Sequence, residues 1–123
     1  MQYKNIEQQA LDNENFRKVI FTNAHSQLVL MSIKPGEDIG KEVHQVDQIL
    51  FFVKGSGKAE VNGEEKEIGA GDVVDVPAGA EHNFINTGTE SMKLYTVYAP
   101  AEHPDGTVHV TKAEAEAAEA KER

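Results

Sequence analysis

KAEVNGEEKEIGAGDVVDVPAGAEHNFIN, residues 58–86, is the stretch whose reading decides the fold. Asn62-Gly63 divides two short runs, Ala59-Glu60-Val61 and Lys66-Glu67-Ile68. A type I′ turn needs positive φ at both central positions, which Asn and Gly tolerate, so the segment predicts a β-hairpin. Val73-Val74-Asp75-Val76 follows, β-branched and closed by the turn residues Pro77-Ala78-Gly79. Outward from this stretch, runs of the same texture occupy Lys18–Thr22, Gln27–Ile33, Ile49–Val53, Lys58–Val61 and Met92–Tyr98. They are divided by Lys34-Pro35-Gly36, Lys54-Gly55-Ser56-Gly57, Gly69-Ala70-Gly71 and Thr87-Gly88. Strands at intervals of about 8–12 residues, with no helical pattern between them, predict an antiparallel all-β barrel or sandwich.

The two ends differ from this middle. Residues 1–15 are polar, with Ile6, Ala10 and Leu11 as apolar anchors, and fit either a short helical turn or an edge arm. Thr111-Lys112-Ala113-Glu114 reads as a capping box ahead of an Ala- and Glu-rich segment. That segment favours helix but has nothing larger than Ala to bury, so a frayed or solvated helical tail is expected, with docking to a partner subunit as the alternative. The organisation is an N-terminal arm over 1–15, a barrel domain over 16–110 and an acidic, Ala-rich helical tail over 111–123.

The chain has 123 residues, 21 Asp and Glu against 12 Lys and Arg, a net charge of −9 and no cysteine. One domain is expected at this length. Disulfides, zinc-thiolate sites and thiol nucleophiles are excluded. The acidic balance and dispersed cations argue against nucleic acid. The longest apolar run, Ile49-Leu50-Phe51-Phe52-Val53, is far short of the ~20 residues of a membrane helix. No signal-peptide pattern opens the chain, so a cytoplasmic location is expected.

Chemistry concentrates in two places. Glu42, His44 and Gln48 share parity, so on one continuous strand they point to one face. His82 follows the turn after Val73–Val76. Two imidazoles, a carboxylate and an amide oxygen converging inside a barrel make a metal site of mixed N/O character, related to the two-His-one-carboxylate pattern. Asp47 points away on a regular strand, but a bulge could bring it in as ligand or base. His25 reads as a surface residue in a turn. His103 and His109 bracket the turn Pro104-Asp105-Gly106, a segment that could fold over the barrel mouth, its own or its partner's. Tyr95 and Tyr98 have opposite parity, so at most one faces the pocket.

Gly36–Gly55 resembles the first cupin motif, carrying Gly36, Glu42, His44, Gln48 and Gly55 at its marked positions. Gly71–Asn86 is similar to the second without departure, in Gly71, Pro77, Gly79, His82 and Asn86. The resemblance implies a single-domain cupin of the small bacterial type: an all-β jelly-roll, or double-stranded β-helix, usually dimeric. In the family, two motif-one histidines, a glutamate and the motif-two histidine hold a divalent metal. Here Glu42 stands at the first histidine position and Gln48 at the glutamate position, with His44 and His82 kept. One carboxylate is thus retained while one imidazole gives way to an amide, which favours harder metals. One Fe, Mn, Ni or Zn ion on Glu42, His44, Gln48 and His82 is the implied cofactor, and a homodimer the implied assembly.

The resemblance further implies a metalloenzyme acting on a small oxygenated molecule by isomerase, dioxygenase or lyase chemistry. No arginine stands between residues 19 and 122, so neutral sugars, keto acids or aromatic diols fit better than sugar phosphates. The alternatives are a non-catalytic small-ligand cupin and a metal-free, degenerate barrel.

Overall fold

The computed structural model describes residues 1–122. Two antiparallel sheets pack face to face as a jelly-roll. The six-stranded sheet joins β1 (Arg17–Thr22), β2 (Gln27–Ile33), β4 (Asp47–Lys54), β7 (Val73–Val76), β9 (Met92–Ala99) and β10 (Val108–His109), in the order β10-β1-β2-β9-β4-β7. The four-stranded sheet joins β3 (Glu42–Val43), β5 (Ser56–Val61), β6 (Glu64–Gly69) and β8 (Glu81–Asn86), in the order β3-β8-β5-β6. Two helices, α1 (Ile6–Asp12) and α2 (Lys112–Glu122), flank the strands. No helix among the described residues is long and apolar enough to cross a membrane.

Alternation of side chains puts one set from each strand inward. Leu50 and Phe52 of β4, Met92, Leu94 and Tyr98 of β9, Val29, Met31 and Ile33 of β2, and Phe84 of β8 form one buried cluster between the sheets. The rings of Phe52 and Phe84 meet across it at 5.7 Å. Asn62 and Gly63 take φ of 49° and 82°, as the hairpin turn between β5 and β6 requires. Gly57 is needed for another reason: a Cβ there would lie 2.3 Å from the Ile85 carbonyl oxygen on the neighbouring strand.

Both ends of the chain are ordered against the barrel. The arm forms α1, which lies against β9, β2 and β4. There the buried Lys93 ammonium bonds the Asn13 carbonyl at 2.5 Å. The tail forms α2, with Thr111 Oγ1 accepting from the Glu114 N–H. It is not frayed: one side docks on the barrel while most of its side chains stay exposed. Ala115 is buried in the core cluster, Lys112 pairs with Asp38, and Glu119 reaches Arg17 at 3.3 Å. Alanine suffices because α2 docks by close approach and ion pairs rather than by a large apolar face.

Candidate functional site

The parity argument for Glu42, His44 and Gln48 assumed one unbroken strand, and the chain does something else. Glu42 belongs to β3 of the smaller sheet, where it pairs with His82, while Gln48 belongs to β4 of the larger sheet, where it pairs with Tyr98. Between them the chain crosses from one sheet to the other through residues 44–46, which lie outside any strand. His44, Gln48 and His82 are all buried, and the His44 and His82 rings stand edge to face at 4.9 Å.

The hydrogen bonds fix which atoms are available. His82 Nδ1 lies 3.0 Å from the Ala80 carbonyl oxygen, which can only accept, so Nδ1 carries the proton. Burial lowers the His82 pKa, against the pull of the Ala80 carbonyl, and the neutral ring keeps a free lone pair on Nε2. Gln48 Nε2 donates to Thr96 Oγ1 at 3.1 Å, and Thr96 Oγ1 in turn donates to the Ile49 carbonyl at 2.8 Å. With its only proton used there, Thr96 can only accept, so the Gln48 amide orientation is set. Gln48 Oε1 is left buried without a partner. His44 Nε2 donates to Glu42 Oε2 at 2.5 Å, while His44 Nδ1 is buried and unpaired. Burial opposes charge on His44, but the Glu42 hydrogen bond and the charges of Glu42 and Glu102 outweigh it, raising its pKa.

Asp47 does not join this group. It is exposed, and its Oδ1 accepts the Ala78 N–H at 2.9 Å, where it ties the turn after β7. No bulge turns it inward, and the base role considered for it is dropped. His25 is exposed in a turn, as expected. Of the two tyrosines, Tyr98 faces inward at 2% exposure and Tyr95 stacks on Phe51 outside.

The 103–109 segment does fold over the mouth of its own barrel. Gln27 holds it in place: Oε1 accepts the N–H groups of Glu102 and His103, and Nε2 donates to the His103 carbonyl. His103 then stands edge-on to Tyr98 at 5.2 Å, and Glu102 Oε1 comes within 3.9 Å of His44 Nε2. Burial pushes the Glu102 pKa up and the His103 pKa down to about 3. Arg17 was passed over by the reading of the sequence. It is 1% exposed, and its Nη1 contacts His109 Nδ1 at 3.2 Å and Glu119 at 3.3 Å. Its signal was parity: Arg17 shares the inward face of β1 with Val19.

Among the described residues, no three His, Asp and Glu side chains stand as a ready-made metal-binding group. The donor chemistry nevertheless fits a divalent ion. Gln48 Oε1 is an orphaned acceptor and His82 Nε2 a free lone pair. His82 also has the arrangement common to metal-ligating histidines, its other nitrogen donating to a backbone carbonyl. His44 Nε2 must give up the proton it shares with Glu42 before it can ligate.

A two-sheet antiparallel barrel with inward histidines from two separated motifs defines a cupin-type β-barrel. The Cupin domain family, Cupin_2, matches residues 29–98, and the chain belongs to it. The chain is 43% identical over 122 residues to the uncharacterized protein YrkC of Bacillus subtilis, covering 94% of this chain and 66% of YrkC. It therefore spans about two thirds of that relative's length. The crystal structure of BH2720 from Bacillus halodurans matches with a TM-score of 0.93 and 41% identity, over 94% of this chain and 93% of that one. The oxalate-binding protein of Thermotoga maritima is 31% identical over 68 residues, 54% of this chain and 56% of that protein.

Proposed function

We propose that the barrel binds one divalent metal ion on Glu42, His44, Gln48 and His82 and acts as a metalloenzyme on a small oxygenated molecule. The observation that carries this reading is Gln48 Oε1, a buried acceptor with no partner, together with the contact of the His82 ring, whose Nδ1 is tied to the Ala80 carbonyl, with the Glu42-bonded His44 ring at 4.9 Å. A protein interior tolerates an unpaired buried acceptor poorly, at about 1–3 kcal/mol, unless something binds there. When bound, the ion would supply Lewis-acid polarisation of a substrate oxygen or activation of O₂. The chain's own residues do the rest. The Ala80 carbonyl and Thr96 hydroxyl orient His82 and Gln48, the inward Tyr98 walls the pocket, and the 102–103 segment limits access of water. Glu102, rather than Asp47, is the carboxylate near His44 that can accept or hold a proton. The oxalate-binding relative supports a small, oxygen-rich ligand, with isomerase, dioxygenase or lyase chemistry the reaction types compatible with such a site.

A second reading, a metal-free barrel that binds a small ligand without turnover, is favoured by the 2.5 Å Glu42–His44 hydrogen bond, which engages the Glu42 carboxylate and His44 Nε2 without an ion. Elemental analysis of untagged protein beside a His44→Ala/His82→Ala variant separates the two. A near-stoichiometric transition metal lost in the variant supports the metalloenzyme. No metal after reconstitution with Fe(II), Mn(II), Ni(II) and Zn(II), or equal occupancy in both proteins, removes it. We also propose that the protein is a homodimer. Ile49 and Val73, at 39% and 59% exposure, lie beside the Phe51–Tyr95 stack on the outer face of the larger sheet, where a second copy can cover them.

A further inference from the structure

Arg17 is a guanidinium buried in the barrel with incomplete partners. Nη1 contacts His109 and Glu119, the cation lies 5.4 Å from the Phe16 ring centroid, and Nε–H is buried with no acceptor. A buried charge held this loosely is expensive. The guanidinium stands behind Glu119, which it contacts at 3.3 Å and which shares a cavity with the candidate ligands Glu42 and His44.

The carboxylate facing it is a weak partner. Glu119 makes one contact at 3.3 Å and its side chain is 28% exposed. It also sits near the C-terminal end of α2, where the helix dipole disfavours an anion. The firm anchors of α2, the Lys112–Asp38 pair and the buried Ala115, lie in its first turns. Glu119 itself walls a cavity of about 370 Å³ that Glu42, His44, Glu102 and His103 also line. That volume suits a small ligand.

We propose that Arg17 is the carboxylate anchor of this pocket and that Glu119 holds its place until a small carboxylate-bearing ligand, of the 2-oxo acid type, displaces it. The inference rests on the metalloenzyme reading for its choice among substrate classes and narrows that choice. Exchange of one carboxylate for another leaves the charge of the mouth unchanged. A neutral sugar or diol that displaced Glu119 would strand the guanidinium without a counterion. A phosphate dianion would bring a second negative charge to a mouth that already carries Glu42 and Glu102 against the single cation Lys41. A planar carboxylate can take two parallel N–H bonds from a guanidinium, which would engage the idle Nε–H that Glu119 leaves unpaired.

The test is calorimetric titration of metal-stripped protein with pyruvate and with the neutral pyruvamide, using wild type, Glu119→Gln, Arg17→Lys and Arg17→Gln. Removing the competing carboxylate should tighten pyruvate binding about tenfold in Glu119→Gln. Arg17→Lys should weaken it and Arg17→Gln abolish it, and pyruvamide should distinguish none of the four. Because Arg17 is buried, loss of fold in its variants says nothing of ligand binding; Glu119→Gln, which changes a partly exposed side chain, is decisive by itself. Pyruvate affinity within twofold of wild type in Glu119→Gln, undiminished affinity in a folded Arg17→Gln, or no pyruvate binding by any of the proteins overturns the proposal. Metal content of the same preparations before stripping reports separately on Glu42, His44, Gln48 and His82. A protein that takes up metal but binds pyruvate without regard to Glu119 refutes the anchor alone. One that shows the Glu119 effect but takes up no metal refutes the metalloenzyme reading and leaves the anchor standing.

Discussion

Replacing Gln48 by Leu separates what the amide costs the fold from what it does for the site. In the metal-free protein Gln48 Oε1 is buried without a partner, a penalty of about 1–3 kcal/mol. Leu is apolar, somewhat bulkier, and removes that penalty. It also removes the Nε2 bond to Thr96, worth about 1 kcal/mol. Thr96 itself is not stranded, because its hydroxyl still donates to the Ile49 carbonyl. The net expectation is a gain of about 1 kcal/mol, which for a domain of this size raises Tm by roughly 4 °C. Metal reverses the order. Ion present at a hundred times Kd stabilises the wild type by about 2.7 kcal/mol, or roughly 10 °C. Gln48→Leu, lacking one ligand, should show much less. The assay is a thermal melt of both proteins in chelator and in each candidate metal. A fall of 3 °C or more for stripped Gln48→Leu would refute the reasoning about the orphaned oxygen. An equal rise in both proteins on adding metal would refute its role as a ligand.

Three other expectations follow from the geometry. Gly57→Ala forces a Cβ to within 2.3 Å of the Ile85 carbonyl, a backbone atom held in the sheet, and should cost at least about 2–3 kcal/mol in a urea melt; a loss under 1 kcal/mol would mean that the sheets shift apart easily. Lys112 holds the Asp38 carboxyl below its ordinary pKa, chiefly by a hydrogen bond, so the stability it adds is present above the usual carboxylate pKa and is lost as pH falls through the lowered value. Lys112→Met should therefore flatten the acid limb of the stability curve, by under about 1 kcal/mol for so exposed a pair; an unchanged acid limb would discount the bridge. Light scattering should give twice 13.5 kDa for the wild type and 13.5 kDa for Val73→Lys; a monomeric wild type at micromolar concentration would remove the outer sheet face as an interface.

What the sequence disclosed and withheld follows from the range of the interactions concerned. The hairpin at Asn62-Gly63 and the strands Gln27–Ile33 and Val73–Val76 are local matters of φ and side-chain branching, and the structure has them with those bounds. Strand β8, which carries His82, was not among the expected runs. Its residues Glu81-His82-Asn83 are polar, and partners on both sides, β3 and β5, hold it in the sheet. The same applies to Glu42 and Gln48. Their shared inward direction was anticipated from parity along one strand, yet the chain changes sheets between them, so the agreement comes from two sheets facing a common interior.

Arg17 and Glu119 were harder to see, because neither has any local reason to be functional. In sequence they are a cation at the start of a strand and one glutamate in an Ala-rich tail, 102 positions apart. Composition led toward a solvated tail, since α2 has no apolar stripe to bury. That inference weighed the helix against water alone. The barrel presents a half-satisfied guanidinium and the Asp38 carboxylate at the surface where α2 arrives, and against such a surface a helix with alternating Ala, Glu and Lys has complementary groups to offer. The contact at Glu119 is also the weaker of its two ion-pair anchors, at 3.3 Å and near the unfavourable end of the helix dipole. An apolar residue at this position would leave the buried Arg17 guanidinium without a counterion, so the position calls for a carboxylate. A carboxylate placed there suits a site that must open to another carboxylate.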